Sequence, residues 1–153
     1  MMGGGQQQLQ QLSQELEEID LEIEEKEEEI AEFQEEKSGV DDAIEAINTL
    51  ESGDTVQVPL GGGAYVRAEI EDMDEIIVGL GGGYAAEQEG DDAVDALESR
   101  KDLLDDRISE VRSEISDLEE ESAEIEQRAQ QMQQQMQQQQ MQQMQQQGEE
   151  GGQ

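Results

Sequence analysis

The 153-residue sequence contains no cysteine and no histidine. The first absence excludes a disulfide framework, a thiol nucleophile and any cysteine-based metal site. Together they leave acid–base and nucleophilic work to Ser, Lys or carboxylates, and no constellation of these stands out. Bases are scarce too: eight Lys and Arg stand against 42 Asp and Glu, a formal net charge of −34. A chain this anionic cannot neutralise phosphates, which excludes nucleic acid as a partner. The same argument excludes an anionic membrane surface. No apolar run is long enough to span a bilayer, and Met1 to Gln8 is Gly/Gln-rich where a secretory leader would be apolar. A soluble, cytoplasmic protein is expected. Large apolar residues are also few, Leu, Ile, Val and Phe making up 30 of the 153. With that charge, composition alone lies on the border of intrinsic disorder. It excludes a thick globular core and implies an extended object.

What apolar sequence there is falls almost entirely on two heptad tracks and in the segment between them. The first track reads Leu9, Leu16, Ile23, Ile30, Lys37, Ile44, with the companion series Leu12, Ile19, Lys26, Phe33, Val40, Ile47. The second reads Val94, Lys101, Ile108, Ile115, Ser122, Ala129, Met136, interleaved with Leu97, Leu104, Val111, Leu118, Ile125, Met132. Alternating spacings of three and four, sustained without a slip, keep one seam facing a partner helix and predict a left-handed coiled coil. Each helix would be roughly 60 Å long at ~1.5 Å per residue. Matching lengths around a compact middle predict an antiparallel hairpin with both chain ends at its far tip.

All three lysines, Lys26, Lys37 and Lys101, occupy seam positions. Like charge along two helices repels over ~8–10 Å at ordinary ionic strength but only ~3 Å at ~1 M salt, so a high-salt cytoplasm suits this composition. An acidic protein of an ordinary cell is the alternative. If salt has removed lysine from the solvated faces, those left are expected to set helix register at some cost in stability. Asp41 follows Lys37 by four residues and Asp105 follows Lys101 by four, so each ammonium could reach a carboxylate on its own helix. Tolerated seam defects are the competing explanation.

Between the tracks the period changes to two. Val56, Val58 and Leu60 alternate with polar residues or Pro59; Ala64, Val66, Ala68 and Ile70 do the same, and Ile76, Val78 and Leu80 continue. Gly61-Gly62-Gly63 and Gly81-Gly82-Gly83 each follow such a run and predict three-residue hairpin loops. Two β-hairpins are expected, linked by the acidic run Glu71 to Glu75. Four short strands with one apolar face and open edges are unstable alone. Because the helices spend their apolar stripe on each other, strands of other subunits are the expected cover. Val56, Val58, Leu60, Val66, Ile70, Ile76, Val78 and Leu80 are then subunit-interface residues. A private mini-domain folded over the helix ends is the alternative.

The predicted fold class is α+β, with this organisation: residues 1–8 disordered, 9–50 the first coiled-coil helix, 51–90 the two β-hairpins, 91–138 the second helix and 139–153 a disordered Gln/Met-rich tail. Ser52 and Gly53 supply the stop of the first helix, Asp91 and Asp92 the start of the second. Neither triple glycine is followed by Lys-Ser/Thr or opens a helix, which argues against a phosphate loop. No calcium-loop pattern is present. No cofactor, metal or enzymatic activity is expected. The positive signal lies at the hairpin tip, where Leu9, Leu12 and Leu16 come beside Ile125, Met132 and Met136. Fraying would open these layers, and methionine suits a surface that accepts many partners because its unbranched thioether adapts its shape. An ordinary coiled-coil end completed by methionine is the competing explanation.

The order heptad helix, two hairpins, heptad helix, with Val56-Gln57-Val58-Pro59-Leu60-Gly61-Gly62-Gly63-Ala64-Tyr65-Val66-Arg67-Ala68-Glu69-Ile70 and Ile76-Ile77-Val78-Gly79-Leu80-Gly81-Gly82-Gly83-Tyr84-Ala85, resembles the α-type subunit of archaeal prefoldin from a halophile. Two hairpins resemble the α type, whereas one would indicate the β type. The acidic surface and the Gln-rich tail depart from the pattern. The resemblance implies a hexamer of two α-type and four β-type prefoldin subunits, its hairpins joined in an intersubunit β-barrel and its coiled coils forming arms. It also implies nucleotide-independent capture of unfolded client proteins at the arm tips and their transfer to a group II chaperonin. A non-chaperone scaffold and a regulatory prefoldin-like subunit are the alternatives.

Overall fold

The computed structural model describes the backbone of residues 3–81 and 83–150 and the side chains of residues 4–79 and 83–148. The elements run α1 (Gly3–Thr49), β1 (Thr55–Gly61), β2 (Ala64–Glu69), β3 (Ile76–Gly81), β4 (Tyr84–Gln88) and α2 (Gly90–Glu150). The chain divides into two compact units, one of residues up to Ile30 with Glu110 onward, the other Ala31–Ser109.

In the first unit α1 and α2 pair antiparallel. Leu12, Ile19 and Ile125 are buried, with Leu16, Ile23, Leu118, Ala129 and Met132 packed around them. Burial of an aliphatic side chain stabilises by about 1.5–3 kcal/mol, so a few such layers hold the helices together against their shared negative charge. The second unit contains another stretch of the antiparallel pair, with Val40, Leu104 and Ile108 buried, together with both hairpins. Every position of the two heptad tracks is buried or half-buried, while the residues between them are almost all exposed. Leu21 and Leu103 lie off the tracks and are exposed.

Both helices are longer than their apolar tracks. Residues 3–8 and 139–150, expected from composition to be unstructured, are helical. In residues 139–150 Gln and Met are good helix formers and proline is absent, so local propensity extends α2 past its last apolar layer, whereas in residues 3–8 only Gln6 to Gln8 favour the helix and the three glycines oppose it.

α1 stops where expected. Gly53 adopts a φ of 91°, and its N–H donates to the Ile70 carbonyl at 2.7 Å, tying the turn to the end of the first hairpin. The Met73 N–H donates to Ser52 Oγ at 3.0 Å, so the acidic linker is anchored to the same turn. α2 begins at Gly90, with Asp91 and Asp92 in its first turn facing the positive end of the helix dipole.

The four strands form two separate two-stranded antiparallel sheets, β1–β2 and β3–β4. Val58 faces Val66 and Val56 faces Ala68 in the first; Val78 faces Ala86 in the second. The first loop is tighter than the sequence predicted. Gly61 pairs with Ala64 across a register shift, leaving a two-residue loop of Gly62 and Gly63 at φ 59° and 82°. Positive φ at both central residues is the geometry whose twist matches the flanking strands, and it selects glycine at both. In the second hairpin Gly81 likewise pairs with Tyr84, and Gly82 lies outside the described residues.

Candidate functional site

The hairpins leave much of their apolar surface uncovered. Of the expected interface residues, Val58, Leu60 and Val66 are exposed, Leu60 at 68%. Val56, Ile70 and Ile76 are half-buried, and Val78 is buried within its own chain. The Leu80 side chain lies outside the described residues. Strict alternation missed three further exposed residues, Tyr65, Ile77 and Tyr84, with Ile77 at 69%. The signal for Ile77 was the Ile76-Ile77 doublet, which places one isoleucine on each side of β3. Each sheet has two strands only, so unpaired backbone edges accompany these side chains. An isolated two-stranded hairpin is marginal in water, which makes this surface an unsatisfied one.

At the other unit the structure draws the expected contact residues wholly or partly into the seam. Leu12 and Ile125 are buried, and Leu9, Leu16, Met132 and Met136 are half-buried. A Cβ placed on Gly5 would lie 3.2 Å from the Met136 sulfur, so the thioether packs directly on the α1 backbone. Among the described residues of this unit the exposed large apolar groups are Leu21 on α1 and, near the end of α2, Met141 and Met144, at 70% and 76%. With Gln134, Gln137, Gln138 and Gln140 the two methionines line a shallow open depression on α2. Sequence reading passed over these two methionines because they leave the heptad; that departure was itself the signal that they do not serve the seam.

The seam lysines join the two helices, not successive turns of one. Lys37 Nζ lies 2.5 Å from Asp105 and Lys101 Nζ 2.6 Å from Asp41, so the two acids expected as same-helix partners are exchanged across the seam. Antiparallel pairing sets the stretch around residue 37 against that around 105, and a seam ammonium then points at the facing flank more directly than back along its own helix. Lys26 reaches Glu114 at 2.7 Å in the same manner, and Arg100 pairs with Glu36. Arg107 stacks over the Phe33 ring at 5.6 Å from its centroid. A same-helix pair would survive any slip of one helix past the other. These cross-helix pairs would not.

The hydrogen bond to Glu114 holds the Lys26 ammonium above the ordinary lysine range, outweighing the opposing effect of partial burial. Asp41 does the same for Lys101. A raised folded-state value means that the folded chain binds the proton more tightly. The pairs therefore contribute fully below about pH 10.4, the unfolded lysine value, and their contribution is lost as pH rises through the higher folded values. Replacing Lys37 and Lys101 together by Leu is expected to raise the melting temperature, because solvent-screened pairs give way to apolar seam contacts. Slipped registers should then become accessible, seen as heterogeneous mobility on sizing. The alkaline decline in melting temperature should shrink to the part owed to Lys26. Unchanged melting together with unchanged homogeneity would remove the register role.

Two long helices with two antiparallel β-hairpins between them, the strands leaving apolar side chains uncovered, define the class of architecture. The chain belongs to the prefoldin family, a family of chaperones: the family model for the prefoldin subunit matches residues 19–150. It is 72% identical over 112 residues to the prefoldin subunit alpha of Halorubrum lacusprofundi, covering 73% of this chain and 74% of that one. It is 74% identical over 106 residues to the prefoldin subunit alpha of Haloquadratum walsbyi, covering 69% of each. Among solved structures, the fold is similar to the filamentous PFD from Methanocaldococcus jannaschii seen by cryo-EM. The TM-score is 0.52 at 24% identity, over 78% of this chain and 95% of that one. Among the described residues no helix is long and apolar enough to cross a membrane.

Proposed function

We propose that this chain is the α-type subunit of a nucleotide-independent holdase, acting in a salt-rich cytoplasm. Its hairpins join those of other prefoldin subunits, two α-type and four β-type, in a shared β-barrel. Its helical pair forms an arm that captures non-native polypeptide for transfer to a group II chaperonin. The observation that carries this reading is the pair of open-edged sheets exposing Val58, Leu60, Tyr65, Val66, Ile77 and Tyr84. Such a surface in a chain of charge −34 is stable only when neighbours cover it. Interface roles for Val56, Ile70, Ile76, Val78 and Leu80 belong to the same proposal, with Val78 acting by support from beneath. The capture surface is the uncharged stretch of α2 that carries Met141 and Met144, joined by Leu9, Leu12, Leu16, Ile125, Met132 and Met136 when the last seam layers open. The proposal includes no enzymatic step, since no acid–base or nucleophilic group has a place in it. High salt suits the acidic surface, as does the halophilic source of the similar alpha subunits.

Light scattering of a guanidinium-denatured model protein diluted into molar KCl tests the reading. The complex with a β-type partner should suppress aggregation without nucleotide. Assembly into a six-chain complex without suppression would favour a scaffold or regulatory subunit instead.

A further inference from the structure

We propose that Met141 and Met144 form a reversible oxidation site, at which a hydroperoxide converts both thioethers to sulfoxides and thereby lowers capture of apolar polypeptide. The site itself stands on the structure; its effect on capture rests on the function proposed above. With no cysteine in the chain, all of its sulfur chemistry belongs to its seven methionines. Four of these, Met132, Met136, Met141 and Met144, fall within one stretch of α2, and the structure sorts them into two classes. Met132 packs against the buried cluster of Leu12, Ile19 and Ile125, and the Met136 sulfur rests on the α1 backbone at Gly5. Met141 and Met144 present 70% and 76% of their surface to solvent. Oxidation follows access to the sulfur lone pair, so the exposed pair reacts first.

In that step a sulfur lone pair attacks the terminal peroxide oxygen, an S–O bond forms as the O–O bond breaks, and the remaining oxygen leaves after proton transfer as the alcohol of the hydroperoxide, or as water when the oxidant is hydrogen peroxide. Sulfur loses two electrons and the peroxide gains them. The product is a dipolar group where an adaptable apolar one stood. Its surroundings make the change consequential. From Gln130 to Gln147 the sequence contains no charged residue, in a chain one third charged, so methionine alone sets the apolar character of this stretch. Because neither side chain contributes to the seam, the helix pair keeps its packing when they are oxidised.

Limiting hydrogen peroxide applied to the full chain, followed by peptide mass spectrometry, should show Met141 and Met144 gaining oxygen several-fold faster than Met132 and Met136, with helicity unchanged. The assembled complex should then lose most of its aggregation suppression, and a pair of methionine sulfoxide reductases, one for each sulfoxide epimer, should restore it. In the Met141→Leu/Met144→Leu variant, the ratio of capture after peroxide to capture before it should stay near one. Equal oxidation rates at all four methionines would overturn the site. An equal fractional loss of capture in the variant would overturn its functional role. A complex that captures nothing before peroxide would overturn the capture reading and the functional half together, while the order of oxidation rates would still decide the site.

Discussion

Deleting residues 1–12 together with 132–153 is expected to leave assembly intact and to weaken capture of denatured polypeptide by about tenfold or more. The first half follows from where the assembly surface lies. Both hairpins and the seam layers of Val40, Leu104 and Ile108 belong to the unit Ala31–Ser109, which the deletion does not touch. In the other unit the deletion removes Leu12 but retains the buried Ile19 and Ile125, so the shortened helices still have layers to share. The second half follows from what is removed: Met141 and Met144, Met132 and Met136, and the α1 residues that face them. Burying a methionine side chain is worth about 1.5–3 kcal/mol, and ~1.4 kcal/mol is already a tenfold change in affinity. Size-exclusion chromatography with light scattering checks assembly, and aggregation suppression checks capture. Full retention of capture would place the binding surface on the helix flanks or on partner chains.

The Leu60→Asp/Ile77→Asp variant should behave in the opposite way, losing assembly while keeping its helices. Both side chains are largely exposed in the single chain, so the substitutions cost the isolated fold little. In the proposed barrel the same positions are covered by neighbouring strands, and each aspartate would bring an unpaired carboxylate into an apolar contact. Losing about 1.5–3 kcal/mol of aliphatic burial at each position, before any charge penalty, corresponds to at least about a hundredfold weaker association. Mass by light scattering should fall to that of unassembled chains, with the helical circular dichroism retained. A full-size complex formed by the variant would mean that these strands are not the subunit interface.

The helical part of this fold was legible because its signal is redundant. A seam position is read from its neighbours three and four residues away, so Lys26, Lys37, Lys101 and Ser122 did not obscure the tracks, and all four are found half-buried where the heptad places them. The hairpins were legible from period two and the triple glycines, but their details were not. A bulge at Gly61 shortened the expected loop, and the Ile76-Ile77 doublet left apolar side chains on both sides of β3. The helix ends were the least legible part. The apolar pattern reports where a helix has a partner and is silent about where it continues without one, and Gln-rich sequence is compatible with either state.

By itself, the sequence determined which residues face the seam and which segments are strands, because heptad spacing and alternation depend only on positions along one chain and on the repeat of the helix or strand. It also set the expectation that polyanions are not partners, since a charge of −34 acts at a distance whatever the fold. The tertiary structure decided how the helices are locked and which apolar groups remain free. Lys37 and Lys101 exchange their acids across the seam, Gly5 draws the Met136 sulfur inward, and Val78 turns into its own chain while Ile77 turns out. Those outcomes depend on distances between segments far apart in the chain, and only folding sets such distances.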